Sequence, residues 1–272
     1  MTDSVALAFG VTTAAGLATG IGAALGLFAK TTNHRFLAFA LGFSAGVMLF
    51  ISFVEILPKS IAMFAKDRGD VESLTWASLA FIGGLVFMAI FYRFLPRWGL
   101  PESDKPKGPS AEALQLDTHR DRTLLRSGIL IAIAVSLHNF PEGIATFFLT
   151  LNDPDLGISA AVAIAIHNIP EGIAVAVPLY YALGKRSLAF LGGLASGLAE
   201  PVGALLGFLI LRPFITDSLL GALFAVVAGI MVYISIDSLL PAARQYDRGQ
   251  LAIYGVIAGM AVMAASLILF SL

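Results

Sequence analysis

The segment "ILIAIAVSLHNFPEGIATFF" at residues 129–148 aligns without a gap on "ISAAVAIAIHNIPEGIAVAV" at residues 158–177, so the hexapeptide HNFPEG at 138–143 returns as HNIPEG at 167–172. Each copy sets a histidine, an asparagine and a glutamate inside an unbroken apolar run, Ser127–Leu151 for the first and Leu156–Gly184 for the second. A helix needs roughly 20 residues to cross a bilayer core, whereas barrel strands would appear as alternating segments of about 10. The two runs are therefore expected to be consecutive, antiparallel transmembrane helices that carry the same polar group into hydrocarbon.

Six further runs of this kind extend outward from the pair: Val5–Ala29, Phe36–Pro58, Leu74–Tyr92, Ser187–Leu211, Ser218–Ala243 and Leu251–Leu272. The expectation is an all-α integral membrane protein, a bundle of eight helices forming one polytopic domain over residues 1–272. Composition agrees, with 58% hydrophobic and 13% charged residues and a mean hydropathy of +0.87. A net charge of -1 offers no basic surface for nucleic acid, and the absence of cysteine removes disulfides and thiolate metal sites. The opening "MTDSVALAFG" lacks the positive stretch of a signal peptide, so the first run is expected to be a retained helix.

The one long connection, at about 96–123, contains "PESDKPKGPS" and reads as a linker of mixed charge. Of the 17 lysines and arginines, only Lys59, Lys66, Arg68 and Arg212 fall on the side opposite this loop. The excess of positive charge places the loop in the cytoplasm and both termini on the non-cytoplasmic side of the cell membrane, the inner membrane in a Gram-negative cell. A second gapless repeat pairs "AGVMLFISFVEILP" at 45–58 with "AGIMVYISIDSLLP" at 228–241, with seven of the fourteen positions identical. Spans two and seven run in opposite directions, so both repeats point to an inverted architecture with a site near the midplane.

Within the runs the ionisable residues are few: Glu55, His138, Glu142, His167, Glu171, Glu200 and Asp237. A charge at a helix centre costs about 2.5–3.5 kcal/mol on insertion scales, so a group of carboxylates with no lysine or arginine in the runs calls for a cation. His138 and Glu142 are four residues apart, as are His167 and Glu171, which puts each pair on one helix face. Asn139 and Asn168 lie three residues before the same glutamates, so each carboxylate has a donor on either side, as a bridge between two metals would require. Pro141 and Pro170 lack the N–H owed to Leu137 and Ile166 and are expected to kink their helices at the site, and Glu200-Pro201 repeats the adjacency in span six. Glu55 and Asp237 read equally well as interfacial or as pathway groups.

Two catalytic readings are weighed against this. "GFSAG" at 42–46 matches a nucleophile elbow, but it lies inside an apolar helix rather than at a strand-to-helix turn and reads as small-residue packing. The pairs Gly16/Gly20, Gly42/Gly46 and Gly255/Gly259 read likewise as close helix contacts. No H-E-x-x-H occurs, yet an intramembrane metal-dependent hydrolase using Glu142 or Glu171 as base remains the alternative function.

At the two hexapeptides and around them the chain resembles the ZIP family of divalent-metal transporters, most closely its compact bacterial ZupT-like branch, over essentially its whole length. The resemblance implies eight helices, uptake rather than export, no enzymatic activity and no catalytic cofactor. It also implies two metal positions between spans four, five and six. His138, Glu142, His167 and Glu171 would form a zinc-favouring one, and Asn139, Glu142, Asn168, Glu171 and Glu200 a second, hard enough for Fe²⁺ or Mn²⁺; Co²⁺ and Cd²⁺ are further implied cargo. In some relatives a thioether on span two, here Met48, joins the first. The implied partners are the transported divalent cation and membrane lipid, and a homo-oligomer stays open. The histidine-rich cytoplasmic loop of many relatives is missing, since His119 is the one histidine in the long loop.

Overall fold

The computed structural model describes residues 2–28, 34–94, 109–246 and 249–270, and among these every regular element is helical. Among the described residues eight helices are long and apolar enough to cross a membrane: Ser4–Gly26, Arg35–Phe64, Asp70–Phe94, Gly128–Asn152, Gly157–Leu183, Arg186–Phe214, Asp217–Arg244 and Leu251–Leu269. They correspond one to one with the runs read from the sequence, as they must where lipid leaves the backbone no other hydrogen-bond partners.

The spans sort into two groups. Span one packs along span five, span five along span four, and span six against all three. Span eight packs along span two and span three along span seven, while the C-terminal part of span two also lies on span seven. Between the groups the contact is sparser and runs along a seam where span two meets span five and span four meets span seven.

Inside each group helices touch backbone to backbone. A Cβ at Gly42 would lie 2.2 Å from the Ala252 carbonyl oxygen and one at Gly46 2.1 Å from that of Val256, while Gly255 and Gly259 stand equally close to Phe39 and Phe43. The small-residue reading of "GFSAG" and of the glycine pairs is thus where spans two and eight meet, and Gly16 does the same against Gly197.

Spans two and seven share an irregularity. Each contains a single π-helical turn, Ser52–Ile56 in one and Ser235–Leu239 in the other, at equivalent positions of the second repeat. Pro58 and Pro241 follow, and neither can donate to the preceding turn. The ladder widens instead, with the Leu57 N–H donating to the Ser52 carbonyl and the Leu240 N–H to that of Ser235. The buried Ser52 and Ser235 hydroxyls donate back to the carbonyls of Met48 at 2.6 Å and Met231 at 2.7 Å.

Two expectations change, and span six shows a break. Span two does not end at Pro58: the proline takes the first turn of a further helix, Leu57–Phe64, so Lys59 joins the span and pairs with Glu55 one turn away. One intramembrane carboxylate therefore has a lysine partner. Spans four and five stay helical through Pro141 and Pro170, while span six is the one that breaks, at Leu198, three residues before Pro201. Of the expected loop, residues 96–108 lie outside the described residues, as does the side chain of His119, and residues 109–123 continue span four as helix from Pro109. The strong helix formers in "AEALQL" outweigh the linker-like composition before them.

Candidate metal centre

The hexapeptides hold two neighbouring helices at fixed height by means of their glycines. A Cβ at Gly143 would lie 2.1 Å from the Glu200 carbonyl oxygen, and one at Gly203 2.0 Å from that of Phe140. In the second copy Gly172 stands against the Thr19 carbonyl and Gly22 against that of Ile169, both at 1.9 Å by the same measure. Span four is thereby clamped to span six and span five to span one by the same reciprocal contact. The final glycine of the motif was legible only as part of a repeat, and Gly22 and Gly203 were not singled out, although each has a glycine four residues on, the spacing of the pairs noted above.

This clamping brings His138, Asn139, Glu142, His167, Asn168, Glu171 and Glu200 together, all buried among spans four, five and six. The imidazoles and two of the carboxylates form a chain. His138 Nε2 lies 3.0 Å from Glu171 Oε1, His167 Nε2 lies 3.6 Å from the same oxygen, and His167 Nε2 lies 3.3 Å from Glu142 Oε1. Donor atoms around a tetrahedral zinc with bonds of about 2.0–2.2 Å are separated by about 3.3–3.6 Å, so the two His167 distances match ligand edges while the His138–Glu171 one is shorter. The chain is open rather than a closed cage: among the described residues no three His, Asp or Glu side chains converge tightly enough to hold a metal as they stand.

Backbone carbonyls orient the donors. His138 Nδ1 lies 3.2 Å from the Ala134 carbonyl, one turn back. Donation there leaves Nε2 with its lone pair facing a carboxylate oxygen, an arrangement that holds together around a cation. The Asn139 amide donates to the Ser196 carbonyl at 3.1 Å, next to the break in span six, and the Asn168 amide donates to the Ala15 carbonyl at 2.8 Å and to Glu200 Oε1. Both asparagine amino groups are thus tied down, while Oδ1 of each, both oxygens of Glu142, and Oε2 of Glu171 and Glu200 have no hydrogen-bond partner. Buried polar atoms are seldom left without a partner, and here six carboxylate and amide oxygens of one cluster are, together with both ring nitrogens of His167.

Of the remaining candidates, Met48 is fully buried on span two. Glu55 is half-buried and paired with Lys59. Asp237 is exposed, and the repeat aligns Glu55 with Ser238, which bonds the Tyr92 hydroxyl at 2.8 Å.

The ZIP zinc transporter family model matches residues 3–122 and 100–267. A protein named zinc transporter ZupT from Nitratidesulfovibrio vulgaris is 51% identical over 271 residues, covering 98% of each chain. Proteins of the same name from Oceanobacillus iheyensis and Corynebacterium glutamicum are 50% and 51% identical over 99% and 97% of this chain, and over 100% and 98% of their own.

Proposed function

The chain belongs to the ZIP family of zinc transporters, and from that premise we propose that His138, Asn139, Glu142, His167, Asn168, Glu171 and Glu200 are the ligands through which it passes its cargo. The protein is a multi-pass membrane transporter that takes up divalent metal cations, zinc first, and not an enzyme. The hydrolase alternative is unsupported, since the relatives above are all named as transporters. The observation that carries the ligand assignment is the chain of two imidazoles and two glutamates, buried at the centre of an apolar bundle with carboxylate oxygens left unpartnered. Purified protein in proteoliposomes with a zinc-sensitive dye inside tests it: the wild type fills the vesicles with zinc, and loss of the ligands stops the filling while the protein still inserts.

Two metal positions share Glu142 and Glu171. Imidazole favours Zn²⁺, while the oxygens of Asn139, Asn168 and Glu200 accept harder cations such as Fe²⁺ and Mn²⁺, with Co²⁺ and Cd²⁺ as further cargo. Accordingly, His167→Ala is expected to lower zinc uptake more than iron uptake, and Asn168→Ala to do the reverse, by about tenfold in the ratio. Competitive uptake of Zn²⁺ and Fe²⁺ under reducing conditions measures that ratio; equal losses of both metals in both variants contradict it.

The excess of lysine and arginine on one side sets the orientation, with residues 96–123 in the cytoplasm and both termini outside. Epitope tags at either end are expected to label on intact cells, and a tag inserted at 101–106 only after permeabilisation. Membrane lipid surrounds the bundle, and a homo-oligomer in the bilayer is compatible with the outward-facing apolar surfaces of spans three and eight.

A further inference from the structure

A narrow crevice of about 20 Å³, room for about one water, lies in the seam between the two groups of helices. Its inner end is Glu142, which is 2% exposed and whose carboxylate oxygens have no hydrogen-bond partner. Its outer end is the Glu55–Lys59 ion pair, each side chain 27% exposed. The wall between them is apolar, formed by residues such as Ala145, Ala163 and Val227 from spans four, five and seven, and among the described residues no other ionisable side chain lines it. In the orientation given above all of these residues lie on the non-cytoplasmic side of Glu142. An incoming cation therefore meets one carboxylate before the buried site, and that carboxylate is already held by an ammonium on the same helix.

We propose that Glu55 is the outer capture site for the divalent cation, and that Lys59 is a tethered counter-cation which occupies it until the metal arrives. The pairing is local: the π turn at Ser52–Ile56 carries Glu55, and Pro58 starts the helix that carries Lys59. Without Lys59, a carboxylate at the mouth of an apolar passage stands unpaired; with it, the mouth is neutral and the ammonium swings to solvent when a doubly charged ion takes its place. No bond is made or broken, and the exchange is one of ion pairs. The proposal rests on the transport reading above.

The test is the zinc dependence of uptake into proteoliposomes. Lys59→Gln is expected to lower the half-saturating zinc concentration about two- to fivefold, the scale of a partly solvated ion pair, with the maximal rate little changed. Lys59→Arg, which keeps the charge, is expected to behave as wild type. Glu55→Gln is expected to raise the half-saturating concentration and to abolish the effect of Lys59→Gln in the double variant, because the lysine acts through the carboxylate. An unchanged zinc dependence in Lys59→Gln overturns the proposal, as does an effect that persists in the Glu55→Gln background or falls on the maximal rate alone. Wild-type vesicles that fail to take up zinc count instead against the proposed function, and they are read first in the same assay.

Discussion

Glu171→Gln is expected to reduce zinc uptake by about a hundredfold or more, the consequence of removing one partner from a buried charged group. Its Oε1 is the single atom approached by both imidazoles, at 3.0 Å from His138 Nε2 and 3.6 Å from His167 Nε2. The substitution keeps the side chain's size, and the new amide can donate to the His138 lone pair, so the helices have no reason to separate. Lost transport with preserved insertion and thermal stability is therefore the diagnostic pattern. Metal content of the purified protein gives an independent reading, expected to fall together with flux. Uptake at the wild-type rate from Glu171→Gln vesicles would show that the carboxylate is not shared between positions.

The second large effect lies in a residue with no side chain. Gly172→Ala is expected to lower the melting temperature of the purified protein by about 5–10 °C, from an overpacking cost of about 1–3 kcal/mol. A Cβ there would stand 1.9 Å from the Thr19 carbonyl oxygen and 2.6 Å from the Ala23 nitrogen, both main-chain atoms that cannot rotate away. Gly83→Ala supplies the control, because nothing lies within 4 Å of the position a Cβ would take, and better helix propensity is expected to leave its stability equal or higher. If the two variants melt alike, the backbone clamp at the end of the hexapeptide is not what holds spans one and five together.

Much of this was legible because membrane helices advertise themselves: an apolar run of the right length has few other uses, and the polar residues inside it stand out by their cost. His138, Glu142, His167 and Glu171 declared their common helix faces through spacing alone. What touches what was not legible, since lipid and a neighbouring helix reward the same apolar side chains and leave no periodic stripe to read. Lys59 was hidden for a related reason: Pro58 ends a hydrophobic run whether it stops a helix or begins its next segment. The break at Leu198 was likewise obscured, because three spans carry a proline beside the site residues and only packing decides which of them yields. The carbonyls of Ala134, Ser196 and Ala15, which aim the donors, leave no mark in a sequence at all.

The glycine contacts within each group of helices have a mechanical consequence. Two helices whose main chains interlock have no layer of side chains between them to rearrange, so such a pair is stiff against sliding and tilting alike. The compliance of the molecule is therefore concentrated along the surface where span two meets span five and span four meets span seven, the surface that also contains the crevice leading to Glu142. Presenting a buried ion to one side of a membrane at a time demands displacement somewhere. Between two interlocked halves that seam is where displacement meets least resistance, and the polar cluster of spans four, five and six lies wholly within one of them.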